Sequence, residues 1–373
     1  MNSSLRIALV HDWLTGMRGG EKVLEVLCEL YPQATLFTLL HNKGSVSSTI
    51  ESHELRTSFI DRLPLKTTRY RHYLPLFPLA IESFDFHDYD LILSTSHCVA
   101  KGALPATNAL HICYCHTPMR YVWELYDEYF GPGRAGFIMR TAMAVVAPKL
   151  RAWDVNTCNR VHYFLANSRN VANRIQYYYH RSADILCAPV DMEKFQLSKQ
   201  DDGYFLIVSA LVPYKRIDLA IEAFRFRPER LIIVGRGPES EKLQAMAPKN
   251  VEFLGWQSDE ELVRLYSRCH ALLFPGVEDF GIVPLEAMAC GKPIIALGEG
   301  GALETVVGEG DHPTGVFFRE QTVQALLAAM EQLQSRSFNP SAIRSHAALF
   351  NRDSFKKKIA DYIEEKIALH FDV

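Results

Sequence analysis

The fold is decided by residues 276–293, which run GVEDFGIVPLEAMACGKP. They follow the apolar run 271–274, which is typical of a buried strand. A helical pattern covers 283–290, and it stops at Gly291 and the proline that follows. Another apolar run covers 294–297. This order of strand, loop, helix and strand predicts a ligand site at the carboxyl end of a parallel sheet.

Two carboxylates stand on either side of the predicted helix start. Glu278 precedes the helix and Glu286 lies within it. The backbone N–H groups of Phe280, Gly281 and Ile282 would crown the helix, where free N–H groups and the positive dipole end bind phosphate. An ionised carboxylate only accepts hydrogen bonds, so hydroxyls of a sugar and a ribose would suit these glutamates. Taken alone, either glutamate is more simply a surface charge.

The spacing from Glu278 to Glu286, with Phe280-Gly281 between them, resembles the E-x7-E signature of the family-4 retaining glycosyltransferases. That family has the GT-B fold. The resemblance implies an α/β protein with two Rossmann-like doubly wound domains that face each other across a donor-binding cleft. It also implies a C-terminal helix that crosses back to the N-terminal domain.

On this resemblance we expect an N-terminal acceptor domain over 1–190, completed by the helix 354–373. A nucleotide-sugar donor domain is expected over 200–350. The polar residues 196–203 would link the two domains. A chain of 373 residues agrees with two domains.

Composition and charge limit the classes of function and the cellular location. A net charge of −3 gives no bulk attraction to nucleic acid. The eight cysteines lack disulfide spacing, so we expect buried thiols in a reducing compartment. No apolar run approaches the length of a membrane span, and the N-terminus has no signal-peptide pattern. We therefore expect a cytoplasmic protein, with any membrane contact peripheral and at the inner face of the cytoplasmic membrane.

A glycine loop follows the first apolar run and ends in Gly19-Gly20 at a helix start. It is not the G-x-G-x-x-G dinucleotide fingerprint, and two adjacent glycines are also common in a plain turn. The loop resembles the paired-glycine loop that contacts the donor sugar-phosphate in the family. Asp12, in the same loop, is an expected acceptor contact.

His116 follows the apolar run 111–115, where the family carries a histidine that faces the donor sugar. Arg120 would add positive charge nearby. Asn167 begins a turn that resembles the family's A-N-S turn; it is a helix cap first and an acceptor contact second. The run Cys-Tyr-Cys-His at 113–116 lacks a second pair of ligands, so we expect no zinc site.

Basic and aromatic residues alternate over 62–79, which suits either an anionic membrane or a lipid-linked acceptor. The alternative is an amphipathic helix packed on its own domain. The run 137–146 is expected to be a second apolar helix that faces a partner.

Lys215 and Arg216 stand at a helix start and are expected phosphate ligands, although a solvated basic pair is the simpler alternative. Arg216 occupies a position where the family has glycine. The loop at Gly235 and Arg236 resembles the family's G-x-G-P loop near the nucleotide. Trp256 either stacks on the base or belongs to the core.

The motifs occur in the family's order and look most like bacterial GDP-mannose-dependent mannosyltransferases of polysaccharide or O-antigen assembly. The resemblance implies a retaining hexosyltransferase, most simply one that transfers mannose from GDP-mannose to a glycan or polyprenyl-linked acceptor. Glu278, His116 and Lys215 are the expected catalytic residues. The expected donor-binding residues are Gly19, Gly20, Lys215, Arg216, Gly235, Arg236, Trp256, Phe280, Gly281, Ile282, Val283 and Glu286.

No cofactor is expected, since we take the chain to lack an Asp-x-Asp pair that would hold a divalent ion. Two alternatives remain. One is a catalytically silent nucleotide-sugar binding subunit. The other is a different GT-B enzyme, such as a nucleotide-sugar epimerase.

Overall fold

The computed structural model describes residues 5–134 and 136–371. The chain divides into two compact units. The first comprises Met1–Ala188 and Phe355–Val373, and the second comprises Pro189–Ser354. The acceptor and donor roles expected for the two parts of the chain stay predictions.

The first unit is built on a seven-stranded parallel sheet of order β3-β2-β1-β4-β5-β6-β7. Its central strands are buried along their whole length, which explains why they occur as unbroken apolar runs. The strands are β1 Ile7–His11, β2 Thr35–Thr38, β3 Leu55–Thr57, β4 Leu91–Ser96, β5 Leu110–Cys115, β6 Tyr163–Ala166 and β7 Asp184–Ile185. The helices are α1 Gly19–Leu30, α2 Ser48–Glu51, α3 Lys66–Arg69, α4 Phe77–Glu82, α5 Tyr126–Phe130, α6 Phe137–Thr157 and α7 Arg169–Tyr179.

The second unit is built on a six-stranded parallel sheet of order β10-β9-β8-β11-β12-β13. Its strands are β8 Tyr204–Val208, β9 Arg230–Val234, β10 Val251–Gly255, β11 Ala271–Phe274, β12 Ile294–Leu297 and β13 Gly315–Phe318. Its helices are α8 Ile217–Ala223, α9 Ser240–Met246, α10 Asp259–Arg268, α11 Ile282–Ala289, α12 Ala302–Thr305, α13 Val323–Ser335 and α14 Pro340–Ala347. The expected strand, loop, helix and strand around residues 276–293 are thus β11, α11 and β12.

The last helix, α15 Arg352–Phe371, returns to the first unit, as expected from the fold. Phe355 lies edge-on to Tyr114 of β5, with 5.9 Å between the ring centroids. The Tyr362 hydroxyl donates a hydrogen bond of 2.8 Å to Asp184. The predicted segment 354–373 ends in two residues that lie outside the described residues.

The prediction that residues 196–203 form a linker is wrong. The backbone N–H of Ser198 donates to the carbonyl of Cys290. Asp202 pairs with Arg268 at 2.7 Å, and Asp201 contacts His270 at 2.7 Å. The polar residues that suggested a linker are therefore the side chains that attach this segment to the second unit.

Much of segment 62–79 is packed against its own unit. Tyr70, Leu74 and Phe77 are buried in a core cluster that also holds Met143 of α6. Lys66 pairs with Asp61 at 2.6 Å. These contacts favour the packed alternative for most of the apolar residues of this segment.

A buried ion pair joins α6 to the turn after β4. Lys101 and Asp154 are 1% and 0% exposed, and the Lys101 Nζ lies 3.0 Å from the Asp154 carboxylate. Trp123 and Tyr179 each donate a hydrogen bond of 2.8 Å to the same carboxylate. Because burying a charge is costly, each partner depends on the other.

Candidate functional site

The strand order of the second sheet reverses between β8 and β11. Chain connections leave these neighbouring strands in opposite directions, which opens a crevice at their carboxyl ends. The loop after β8 carries Lys215, and the loop after β11 carries Glu278. The structure brings these two predicted residues together in an ion pair between the Lys215 Nζ and the Glu278 Oε1.

The ion pair requires a close approach of two backbones at Gly276. A Cβ at this position would lie 2.7 Å from the Cα of Lys215 and 2.8 Å from the carbonyl oxygen of Tyr214. Any larger residue would push the loops apart. The Lys215 side chain is only 11% exposed, while the Glu278 side chain keeps 23% of its surface exposed. A partly accessible carboxylate and a sheltered cation therefore lie side by side.

A turn at Gly300-Gly301 packs against the Glu278 loop and is hydrogen-bonded to it. The Gly301 N–H donates a hydrogen bond of 2.8 Å to the Glu278 carbonyl. A Cβ on Gly301 would lie 2.3 Å from the Cα of Phe280, so the turn tolerates only glycine there. The Phe280 side chain is buried and lies near Phe350, 6.0 Å between centroids. Because its side chain is buried, Phe280 can offer only its backbone to a ligand.

Helix α11 begins immediately after this loop. Gly281 caps it with φ of 97°, a left-handed conformation that favours glycine. The first N–H groups of a helix have no partner within the helix, so those of Ile282 and Val283 can meet an anion. These groups follow Glu278 by only a few residues, and the phosphate site expected here stays a prediction.

Glu286 lies on α11 and is 6% exposed. The Tyr266 hydroxyl donates a hydrogen bond of 2.8 Å to its Oε2. Burial, and then the neighbouring Glu286 charge, hold the pKa of Tyr266 well above its usual value, so its hydroxyl stays a donor. Sequence reasoning missed Tyr266, because an aromatic on the inner side of α10 is typical of any core.

Arg216 adopts a left-handed backbone, φ 53°, at the cap of α8. This conformation explains why a related sequence would carry glycine there. Its guanidinium contacts Asp218 at 3.2 Å and Gln321 at 3.1 Å. The structure thus gives Arg216 two protein partners where the sequence predicted a phosphate, and Gln321 was not predicted at all.

The loops after β8, β9 and β10 are joined by backbone hydrogen bonds. The Gly235 N–H donates to the Gly255 carbonyl at 2.7 Å, and the Leu211 N–H donates to the Arg236 carbonyl at 3.1 Å. A Cβ on Gly235 would lie 1.8 Å from the Ser209 carbonyl oxygen, so this glycine serves loop packing. Trp256 is 68% exposed, which excludes the core alternative for this side chain.

The first sheet reverses its order between β1 and β4, and Asp12 lies at that point. Its buried carboxylate accepts four backbone hydrogen bonds of 2.6–3.0 Å from residues 97–100, and His97 Nδ1 lies 3.0 Å away. Burial opposes its ionisation, but the charge and hydrogen bonds of His97, together with the charge of His11, hold the Asp12 pKa well below its usual range. The expected acceptor contact is therefore corrected: this carboxylate caps the turn after β4.

His116 lies beside the glycine pair. A Cβ on Gly20 would be 3.5 Å from the His116 Nε2 and 3.6 Å from the His11 ring. Burial, followed by the charges of His97 and His11, holds the His116 pKa well below its usual value. Asn167 donates a hydrogen bond of 3.1 Å to the His116 carbonyl. His116 is thus a neutral ring near pH 7, and Asn167 positions its backbone.

Other polar residues complete this end of the first sheet. Gly19 is the first residue of α1, and Glu21 accepts a hydrogen bond of 3.1 Å from the Arg18 N–H, which closes the helix cap. Arg120 is half-buried, and its charge contributes to the low pKa of His116. The sequence did not single out His11 and His97, because an isolated histidine carries no pattern.

One Asp-x-Asp does occur, at Asp88-Tyr89-Asp90. It directly precedes β4, at the amino end of the sheet, whereas the glycine pair and His116 lie at the carboxyl end. Asp88 pairs with Arg6 at 3.2 Å, and Asp90 accepts a hydrogen bond of 2.8 Å from the Arg6 N–H. Among the described residues, no group of three or more histidine, cysteine or acidic side chains is arranged to hold a metal.

Residues 190–348, almost the whole second unit, match the family model described as "Glycosyl transferases group 1". This segment is less than half of the chain; it is similar to group 1 glycosyl transferases and is named the group 1 domain for that similarity. The Lys215–Glu278 pair, Gly276 and the start of α11 all belong to this group 1 domain. The expected resemblance is confirmed at this level.

Two curated proteins illustrate what the chain is similar to. It is 33% identical over 122 residues to O-antigen chain mannosyltransferase B of Escherichia coli, covering 29% of this chain and 31% of that protein. It is 26% identical over 185 residues to O-antigen chain mannosyltransferase RfbU of Salmonella typhimurium, covering 47% and 51%. The chain thus spans between about a third and a half of the length of these relatives.

The similarity in fold covers nearly the whole chain. The crystal structure of HepE from Anabaena in complex with UDP and glucose aligns with a TM-score of 0.70. The alignment covers 96% of this chain and 99% of that one at 18% identity. The two parallel-sheet Rossmann-like units that carry the group 1 domain therefore have the GT-B fold, as expected.

Proposed function

We propose that this protein is a retaining glycosyltransferase that transfers mannose from GDP-mannose to a glycan or lipid-linked acceptor in cell-surface polysaccharide synthesis. The observation that carries the proposal is the Lys215–Glu278 pair at the switch point of the group 1 domain, next to the start of α11. A cation, free N–H groups and an accessible carboxylate suit a sugar diphosphate. Mannose is supported by the names of the two O-antigen relatives.

In the proposed reaction the acceptor hydroxyl oxygen bonds to the sugar C1 on the face from which the diphosphate leaves. The bond from C1 to the phosphate oxygen breaks with its electron pair, and that oxygen takes the hydroxyl proton. Retention of configuration follows from attack on the same face. The protein supplies positioning and charge stabilisation.

Each residue contributes in a way that its surroundings favour. Lys215 and the N–H groups of Ile282 and Val283 would stabilise the leaving diphosphate. Glu278 would accept hydrogen bonds from sugar hydroxyls, and Glu286 from ribose hydroxyls. His116 would hold a sugar hydroxyl through a hydrogen bond, since its low pKa keeps the ring uncharged at neutral pH.

We also propose that transfer needs no divalent ion, because Lys215 and a helix N-terminus supply the positive charge at the diphosphate. The two carboxylates of the Asp-x-Asp engage Arg6 at the amino end of the first sheet. The proposal predicts that transfer persists in a chelator. Complete loss that magnesium or manganese restores would contradict it.

A donor panel tests the proposed function. GDP-mannose, UDP-glucose and UDP-N-acetylglucosamine are each scored by thermal shift and by release of the nucleoside diphosphate, and the anomeric configuration of the product is determined by NMR. We expect GDP-mannose to give the largest shift and turnover, with retention. Binding without turnover of any donor would favour a silent binding subunit, and an altered nucleotide-sugar product would favour an epimerase.

A further inference from the structure

The first half of α6 presents large apolar side chains to solvent. Phe137 is 80% exposed and Ile138 is 84% exposed, the two highest values among the large apolar side chains of the described residues. Val145, two turns later, is 62% exposed. A surface helix ordinarily presents polar residues to solvent, so an apolar solvent-facing side is unusual for a helix of this kind.

The inner face of the same helix is already occupied. Met143, Ala147 and Leu150 are buried in the core cluster of the first unit. Helix α6 is therefore anchored on one face and apolar on the other. The exposed side chains take no part in the core that the described residues form.

The charges of α6 have one sign from Phe137 to Trp153. Arg140, Lys149 and Arg151 lie in this stretch, and no acidic residue occurs in it. Arg134, just before the helix, is exposed and pairs with Glu128 at 3.6 Å. An apolar stripe with basic residues beside it complements an anionic lipid surface.

The area argues against a second copy of the chain as the occupant. An aromatic side chain buries about 150–250 Å², and Ile138 and Val145 are smaller than Phe137, so this stripe offers only a few hundred Å². A stable protein interface buries about 800 Å² per partner. No described helix is long and apolar enough to cross a membrane, so contact would be along a surface.

We propose that residues 137–149 of α6 dock the protein on an anionic lipid bilayer. Phe137, Ile138 and Val145 enter the boundary between headgroups and acyl chains, while Arg140 and Lys149 meet lipid phosphates. The contact expected for segment 62–79 moves to α6, because the aromatic side chains of that segment are largely packed inward. The inference does not depend on the proposed activity.

Sedimentation of the full chain with vesicles tests the proposal. The wild type is compared on phosphatidylcholine vesicles with and without phosphatidylglycerol. We expect the wild type to bind the anionic vesicles, and we expect this binding to weaken with salt. The variant Phe137→Ser/Ile138→Ser should lose at least about tenfold in affinity for these vesicles. The matched control is Phe226→Ser/Leu349→Ser, which removes two comparably exposed side chains of the second unit and should bind as wild type.

A charge variant and a segment variant sharpen the test. Arg140→Glu/Lys149→Glu should lose binding to anionic vesicles and keep the melting temperature. Reversing Arg62, Lys66, Arg69 and Arg71 to glutamate should weaken binding less than Phe137→Ser/Ile138→Ser does.

Three results would overturn the assignment. One is a wild type that never sediments with anionic vesicles. Another is a Phe137→Ser/Ile138→Ser protein that sediments as well as the wild type. The third is a dimer in light scattering that this variant abolishes, which would make the stripe a contact between copies. Donor hydrolysis in the absence of vesicles is the separate readout of the proposed function, and it should be unchanged in the α6 variants.

Discussion

Glu278 and Glu286 occupy different surroundings although they lie in one loop-helix unit. Glu278 is partly accessible and pairs with Lys215, whereas Glu286 is buried and accepts a hydrogen bond from Tyr266. Contacts that strengthen in the transition state change turnover, while uniform binding changes affinity. The two carboxylates should therefore give different kinetic signatures.

Glu278→Gln should lower turnover at least about tenfold, roughly 1.4 kcal/mol of barrier. It should leave nucleoside diphosphate affinity equal or tighter, because Lys215 loses its counter-charge. Glu286→Gln should chiefly weaken affinity for the donor and the diphosphate. Steady-state kinetics beside calorimetry separates the two, and the reverse assignment of effects would show the roles exchanged.

Arg216 allows a backbone prediction with its own control. Arg216→Ala and Arg216→Gly both remove the contacts to Asp218 and Gln321, but only glycine relieves the left-handed conformation at φ 53°. The glycine variant should therefore be more stable than the alanine variant by about 1 kcal/mol. Urea unfolding of both measures the difference, and equal stabilities would mean that the backbone is not strained here.

Sequence patterns singled out the candidate site residues but not the side chains that contact them. The spacing of Glu278 and Glu286 and the Lys215 turn stood out because each lies at a strand-to-helix boundary. Tyr266, Gln321 and His97 became visible only in three dimensions, since each acts on a residue distant in the chain. Asp12 was assigned the wrong role because a buried carboxylate that caps a turn has the same sequence signature as a ligand.

At the scale of elements, the buried ion pair between Lys101 and Asp154 holds α6 against the turn after β4. Lys101→Met leaves a buried carboxylate without its cation and should cost about 3–5 kcal/mol of unfolding free energy. Lys101→Met/Asp154→Asn removes that charge while keeping an acceptor for Trp123 and Tyr179, so part of the loss should return. Denaturant titration measures both, and a double variant less stable than the single one would contradict the argument.

Strands were the elements that the sequence predicted best. Unbroken apolar runs such as 7–10 and 271–274 became central strands, because parallel strands covered on both faces have no polar side to interrupt them. Segment 62–79 was ambiguous for the opposite reason. Its alternation of basic and apolar residues suits a membrane surface and a packed helix equally, and only the burial of Tyr70, Leu74 and Phe77 separates the two.

For the whole molecule, buried histidines link stability to pH. His111 is fully buried, with hydrogen-bond contacts to Ser94 and the Arg160 carbonyl, and burial lowers its pKa from 6.5 to about 3. Between pH 6.5 and about 3 the unfolded chain binds a proton here that the folded protein does not bind. Stability therefore falls as pH falls through this window, by up to about 1.4 kcal/mol per pH unit.

The variant His111→Gln should remove the part of the pH dependence of the unfolding free energy that comes from His111. Urea unfolding between pH 6.5 and 4 should show a shallower dependence for His111→Gln than for the wild type. His312→Gln, an exposed position, is the matched control and should keep the wild-type slope. Equal slopes for all three proteins would mean that His111 does not carry the effect.

Lys215 is proposed to provide the cation of a diphosphate site in the group 1 domain. Calorimetry with GDP and with UDP, on the wild type, Lys215→Met and the surface control Lys242→Met, tests it most directly. We predict that Lys215→Met weakens the binding of whichever nucleotide the wild type binds more tightly. The loss should be about 1.5–3 kcal/mol of binding free energy, the value of a charge-assisted hydrogen bond. The melting temperature is measured in parallel. Lys242→Met should bind as the wild type does. A folded Lys215→Met protein that binds both nucleotides with wild-type affinity would contradict the account.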